Sequence, residues 1–241
     1  MLNSLLILTG HSQGLGKAIL DVYLKKGNFK VLGISRTSLK LDHPNFSELS
    51  IDLSDLDLLE SKLSALFPSG DFMNILLINN AGWIGDVKPI GKLEAKKLRD
   101  QVNLNLLAPM YLINAFLGVY KANSAKKIIC NISSGAASRP VEGWAGYCST
   151  KAGLSMFSQV LAKENDDPSF RVFSLAPGIV DTPMQGEIRK SNEADFPDIS
   201  KFVSYKEKGD LSSPESVAQK VSYLMDHDSE FQDVIQDVRN F

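Results

Sequence analysis

The sequence predicts one α/β domain, a doubly wound parallel sheet covered by helices on both faces in three layers. Three observations carry that expectation. Short runs rich in Ile, Leu and Val recur along the chain and are nearly continuous in hydrophobicity, as strands buried on both faces are. Helical stretches separate them, and strand–helix alternation implies parallel strands joined by right-handed crossovers. At 241 residues the chain is long for one domain and short for two, and this length buries enough surface to fold without disulfides or a structural metal.

Candidate strands are Leu5–Leu8, Lys30–Ile34, Glu48–Ile51, Ile75–Asn79, Lys127–Ile132 and Arg171–Leu175. Candidate helices are Gly16–Lys26, Leu56–Phe67, Glu94–Tyr120 with a break expected inside it, and Tyr147–Lys163. Ser54, with Asp55 and Asp57 behind it, reads as a helix start. Thr182–Leu211 is polar, mixed in charge and punctuated by Gly186, Pro197 and Gly209. It is expected to be a long loop, a lid over a site. A last helix over Pro214–Met225, capped by Ser213, and an edge strand within Gln232–Phe241 complete the pattern.

Composition excludes several classes. With 26 Lys+Arg against 28 Asp+Glu, the net charge of −2 lacks the basic footprint of a nucleic-acid binder. Cys130 and Cys148 are too few for a disulfide framework and have no metal-ligand spacing. A reducing, cytoplasmic setting is expected. The start, MLNSLLIL, has no basic n-region and too short an apolar run for a secretory signal. Gln101–Tyr120 is 20 residues without a charge. Its Asn103, Asn105, Asn114 and Pro109 are unsuited to lipid, so a helix buried in protein is expected rather than a membrane span.

The first strand runs into Thr9-Gly10-His11-Ser12-Gln13-Gly14-Leu15-Gly16. Glycines here permit a tight turn and close backbone approach to a pyrophosphate, and the following helix offers unpaired N–H groups and its positive dipole end. Such a turn alone is weak evidence, but its place after strand one strengthens it. Strand two ends Ser35-Arg36-Thr37, without the carboxylate that would take the 2′-hydroxyl of NAD. A guanidinium suits a 2′-phosphate instead. The expected cofactor is NADP(H), with Arg36 and Ser35 at the phosphate.

Tyr147 and Lys151 lie one turn apart on a helix face. A phenol titrates near ~10 in water, and bringing it to ~7 requires about 4 kcal/mol, for which a nearby ammonium has the right sign. Tyr-x-x-x-Lys is common on surfaces, so its surroundings decide. Upstream, Asn131-Ile132-Ser133-Ser134-Gly135 ends a strand, where ligands sit in open α/β sheets. A serine hydroxyl there can hold a carbonyl oxygen as charge develops on it.

These elements together resemble the short-chain dehydrogenase/reductase family over essentially the whole chain. They are the Thr9–Gly16 turn, Asn79-Asn80-Ala81-Gly82, Ser134 thirteen residues before Tyr147, Lys151, and Pro177-Gly178-Ile179-Val180-Asp181-Thr182. The resemblance implies a Rossmann-type fold and a set of roles. Tyr147 would be the general acid/base, Lys151 would lower its pKa and bind ribose, Ser134 would orient the carbonyl, and Asn105 would hold a water linking the lysine to solvent. Gly10, Ser12, Gln13, Gly14, Leu15 and Gly16 would hold the pyrophosphate. Asn80, Ala81 and Gly82 would line the ribose, Asp52 and Leu53 the adenine, and Pro177, Gly178, Ile179 and Thr182 the nicotinamide. Homodimers or homotetramers pairing through the helices at Glu94–Tyr120 and Tyr147–Lys163 are implied as well.

Within the family, Ser133–Ala137, Gly143-Trp144 and Gly186–Arg189 resemble (S)-benzoin-forming benzil reductases and the sepiapterin reductases. That implies NADPH-dependent reduction of a diketone or an aromatic or pterin ketone. Trp83, Trp144 and Met184 are then candidates for the substrate pocket, although either tryptophan is equally explained by ordinary packing. An NAD-linked alcohol dehydrogenase and a silent dinucleotide sensor are the alternatives. The intact Ser134, Tyr147 and Lys151 argue against the sensor, which needs no proton donor. His11 reads as a turn residue, and Cys148 has nothing basic arranged to activate it.

Overall fold

The computed structural model describes residues 3–241. Seven parallel strands form one sheet: β1 (Ser4–Thr9), β2 (Phe29–Ser35), β3 (Phe46–Ser50), β4 (Asn74–Asn79), β5 (Lys126–Ile132), β6 (Phe170–Ala176) and β7 (Ile235–Asp237). Their order is β3-β2-β1-β4-β5-β6-β7. The chain steps outward one way from β1 and then reverses to β4, so a crevice opens at the carboxyl ends of β1 and β4, where open sheets bind ligands. The central strands are almost wholly buried on both faces, which explains their unbroken apolar character. Two apolar layers flank the sheet. One centres on Leu6, Ile19, Tyr23, Ile128 and Leu224, the other on Ile7, Ile75, Leu112, Phe116 and Phe170.

The helices are α1 (Gly14–Lys26), α2 (Leu56–Lys62), α3 (Ala95–Val102), α4 (Ala108–Tyr120), α5 (Ala145–Lys163), α6 (Pro183–Arg189), α7 (Ile199–Glu207) and α8 (Pro214–Asp226). Asp55, one residue after the expected start, caps α2 by accepting the Leu58 N–H at 3.0 Å. Ser213 caps α8 as expected, accepting the Ser216 N–H at 3.1 Å. The expected break in the long helix is a π-helical turn over Asn103–Leu107, joining α3 to α4. Ala95–Tyr120 is long and apolar enough to cross a membrane by length and composition. Its Leu112, Ile113, Phe116 and Tyr120 are instead packed into the second apolar layer.

The expectation of a loop over Thr182–Leu211 is corrected. This stretch holds α6 and α7, and its Ile188, Phe196 and Phe202 are buried in a third apolar cluster with Ile84, Ala136, Trp144 and Tyr147. The apolar residues are few and widely spaced, so the polar composition hides them. The segment leaves and rejoins the body at one point, where Asp181 N–H donates to Ser212 O and Ser212 N–H to Ile179 O, both at 2.9 Å.

Candidate active site

One cavity of about 1230 Å³ runs along the carboxyl ends of the strands, from Arg36 at one end to Met184 and Tyr205 at the other. A cavity above the usual size for a single small ligand suits an extended one with a second small molecule beside it. It is lined by Gly10, Ser12, Gln13, Gly14, Leu15, Gly16, Ser35, Arg36, Asp52, Leu53, Asn80, Ala81, Gly82, Trp83, Ser134, Trp144, Tyr147, Lys151, Pro177, Gly178, Ile179, Thr182 and Met184. Of the site residues expected from the sequence, Asn105 alone lies behind the wall.

The phosphate end is shaped by absent side chains. Gly10 and Gly14 have φ of 68° and 54°, a region that favours glycine. A Cβ on Gly16 would lie 2.0 Å from Gly10 O, so the turn closes only around a glycine. Thr9 Oγ1 accepts the N–H groups of Asn80 and Ala81, each at 3.0 Å, and Asn80 Nδ2 donates to Thr9 O and Gly10 O, each at 3.1 Å. These bonds weld the turn to the end of β4. No side chain caps α1, so its first N–H groups are left for an anion. This open cradle fits the pyrophosphate of a dinucleotide.

At the far end of the crevice, Ser35 Oγ donates to Thr37 O at 2.6 Å. Its proton is therefore committed to the chain, and its oxygen lines the cavity beside Arg36. The Arg36 side chain is 81% exposed, with Nη1 3.9 Å from Asp52 Oδ2. Partial burial pushes the Asp52 carboxyl up, but hydrogen bonds from Ser54 and the Arg36 charge hold it below the usual carboxylate range.

Ser134, Tyr147 and Lys151 converge midway along the cavity. Ser134 caps a short 3₁₀ turn, its Oγ accepting the Ala136 N–H at 3.1 Å, which leaves its proton free to donate. Lys151 is buried, Nζ donating to Ile132 O at 2.7 Å and lying 5.7 Å from the Tyr147 ring centroid. Burial dominates and pushes Tyr147 up to about 12, with only the Ser134 hydroxyl pulling the other way. Burial also draws Lys151 down to about 8. Desolvation disfavours the charged form of each group. A buried phenol beside a serine donor and an ammonium can give a proton to a carbonyl oxygen.

Asn105 is fully buried in the π turn, and both ends of its amide hold the Trp83 backbone. The tryptophans divide. Trp144 is buried, edge-on to Tyr147 at 5.7 Å and stacked on Phe196 at 5.5 Å, so it is packing and cavity wall at once. Trp83 is half-buried, lines the cavity and packs against the same apolar cluster. Sequence reasoning missed Arg139, Val141, Ile188, Phe202 and Tyr205, which also line the cavity. Arg139 is only five residues past Ser134, a proximity that alone could have flagged it. Phe202 and Tyr205 carry no such mark. Cys148 is half-buried and unpaired.

A profile described as short chain dehydrogenase matches residues 4–193. The chain is 38% identical over 242 residues to a benzil reductase ((S)-benzoin forming) of Bacillus subtilis, covering 98% of this chain and 99% of that protein. It is 32% identical to a sepiapterin reductase of Bos taurus, covering 93% and 90% respectively. Among solved structures it resembles the KRED1-Pglu enzyme at 30% identity and a TM-score of 0.78, covering 92% and 94% of the two chains. The chain belongs to the short-chain dehydrogenase/reductase family, oxidoreductases that bind a nicotinamide dinucleotide.

Proposed function

We propose that this protein is an NADPH-dependent carbonyl reductase acting on an aromatic ketone or diketone, with Tyr147 as proton donor. The observation that carries the reading is convergence. Ser134, Tyr147 and Lys151 meet in the same cavity as the glycine turn, beside a wall of Trp144, Phe202 and Tyr205. Bound NADPH would supply a hydride to the carbonyl carbon. Ser134 Oγ–H holds the carbonyl oxygen, and Tyr147 gives that oxygen its proton. Burial keeps the phenol in its protonated, donating form. Lys151, held by Ile132 O, supplies positive charge beside the phenol while it remains an ammonium, and it would donate to the nicotinamide ribose of the bound cofactor. Asn105 positions the Trp83 wall of the pocket.

The substrate class rests on that aromatic wall and on similarity to proteins named benzil reductase and sepiapterin reductase. The cofactor rests on Arg36, whose exposed guanidinium stands where an NAD site would carry a carboxylate. A homodimer or homotetramer is consistent with exposed Leu98 on α3 and Met156 and Val160 on α5. A cytoplasmic location is consistent with two unpaired cysteines.

The decisive experiment measures NADPH and NADH consumption with benzil, with chiral analysis of the product. Turnover with NADPH exceeding that with NADH, and reversal of this preference in Arg36→Asp, supports the reading. An unchanged preference in Arg36→Asp removes the phosphate from Arg36. Absence of NADPH oxidation across diketones, quinones, aldehydes and pterins overturns the reductase. A light-scattering mass near one chain excludes the oligomer.

A further inference from the structure

Beneath the phosphate turn lies a polar pair that the reaction does not use. His11 is fully buried, and its Nε2 is 2.9 Å from Glu48 Oε2 on β3. The ring lies against Gly33 on β2, where a Cβ would come within 2.6 Å of His11 Nδ1, and Phe46 meets it edge-on at 5.5 Å. It is thus enclosed by β2 and β3, the two strands that flank the loop carrying Arg36. Burying such a pair carries a desolvation cost, and it is weak evidence for stability by itself.

Glu48 reaches in the other direction as well. Its Oε1 accepts Ser38 Oγ–H at 2.5 Å and Lys40 N–H at 2.9 Å, and its Oε2 also accepts Leu39 N–H at 2.9 Å. One carboxylate therefore holds three consecutive residues of the loop after Arg36. Among the described residues, Lys40 is the one non-glycine with positive φ, at 51°. Such a backbone persists where its surroundings over-determine it. The Arg36 carbonyl is meanwhile held by Ser50 Oγ at 2.9 Å. The result is a fixed frame around an arginine whose side chain is exposed and, among the described residues, meets only Asp52, at 3.9 Å.

We infer that His11 and Glu48 are positioning residues for a phosphate on the cofactor's adenosine ribose, setting the loop Thr37–Lys40 and Arg36 in fixed relation to the glycine turn. The inference rests on the NADP(H) reading above. Ordering completed during folding is not charged to binding, so affinity for the phosphorylated cofactor is higher than with a loose loop. A dinucleotide without that phosphate engages the turn but gains little from the loop.

The test compares full-length wild type, Glu48→Ala, His11→Ala, His11→Gln and Ser38→Ala in steady-state kinetics with NADPH and NADH on one ketone. In Glu48→Ala and His11→Ala, KM for NADPH should rise roughly tenfold, the scale of losing one or two hydrogen bonds to a charged group. KM for NADH and kcat with either cofactor should move by less than about twofold, a split that marks lost cofactor binding rather than lost chemistry. His11→Gln, which keeps a donor toward Glu48, should recover most of the loss. If the alanine variants do not fold, Ser38→Ala, which removes the hydrogen bond to Glu48 and the one Ser38 Oγ accepts from Lys40 N–H, should show the same selective rise at smaller size. Equal changes for the two cofactors, or an unchanged KM for NADPH in folded variants, overturns the positioning role. A wild type without preference for NADPH overturns both readings, whereas a wild type preference that survives in Glu48→Ala overturns this one alone.

Discussion

The Asn105 amide closes on the Trp83 backbone from both ends: Oδ1 accepts the Trp83 N–H at 2.9 Å and Nδ2 donates to the Trp83 carbonyl at 2.8 Å. This clasp joins the π turn between α3 and α4 to the chain just past β4, so the helix break and the cavity wall depend on each other. π-helical turns occur often at functional sites. Asn105→Ala leaves two backbone groups without partners, at a cost of about 2–3 kcal/mol. For a domain of this size that lowers Tm by roughly 5–10 °C. Asn105→Asp should be no better, because it sets a carboxylate against the Trp83 carbonyl in a fully buried place. Thermal melts within about 2 °C of wild type for both variants would contradict the clasp.

Tyr147→Phe removes the phenol oxygen and keeps the ring packed against Trp144. We expect kcat to fall by about 10²–10⁴, the usual contribution of a positioned general acid. NADPH affinity, read by quenching of intrinsic fluorescence, should stay close to wild type. Near-normal turnover would remove Tyr147 from the acid role.

The pH profile separates Lys151 from Tyr147. With the phenol near 12, its proton is present across the accessible range. Lys151, drawn down to about 8 by burial, loses its charge as pH rises through that value. Reductive kcat/KM should therefore be level below about pH 8 and decline above it. A guanidinium in place of the ammonium would remain charged, so in Lys151→Arg the decline should move up by several units even if overall activity is lower. An unmoved limb in that variant would assign the titration to another group.

Phe202 tests the aromatic pocket. It is 9% exposed, lies 5.3 Å from the rings of both Trp144 and Phe196, and lines the cavity. Phe202→Ala should raise KM for aromatic ketones about tenfold, equivalent to ~1.4 kcal/mol of lost contact, and affect small aliphatic ketones less. It should also destabilise the fold by about 3 kcal/mol through the cavity it leaves. An equal change in KM for both substrate types would remove Phe202 from substrate selection.

Much of the site is local in origin and therefore legible in sequence. Tyr147 and Lys151 share a face because they are one helical turn apart, and Gly10, Gly14 and Gly16 make their turn whatever lies beyond it. The buried central strands announce themselves by continuous Ile, Leu and Val, and Ser213 caps α8 from the residue just before it. Such features depend on neighbours within a few residues. The Thr182–Leu211 segment fails that test, because its helices are held by Phe196 and Phe202 against Trp144, far away in the chain.

What only the tertiary structure decided are contacts between distant segments and the loss of water around them. Spacing alone suggests that Lys151 depresses the Tyr147 phenol. The folded chain turns the lysine to Ile132 O and buries both groups, and burial pushes the phenol up and draws the ammonium down. His11 meets Glu48 across 37 positions, and Asn105 meets Trp83 across 22. Local sequence set the succession of strands and helices along the chain, the phosphate turn and the proton donor's neighbours along its helix, whereas the order of strands in the sheet came from the fold. Burial and long-range pairing, which no local pattern encodes, determined their protonation and the frame that holds them.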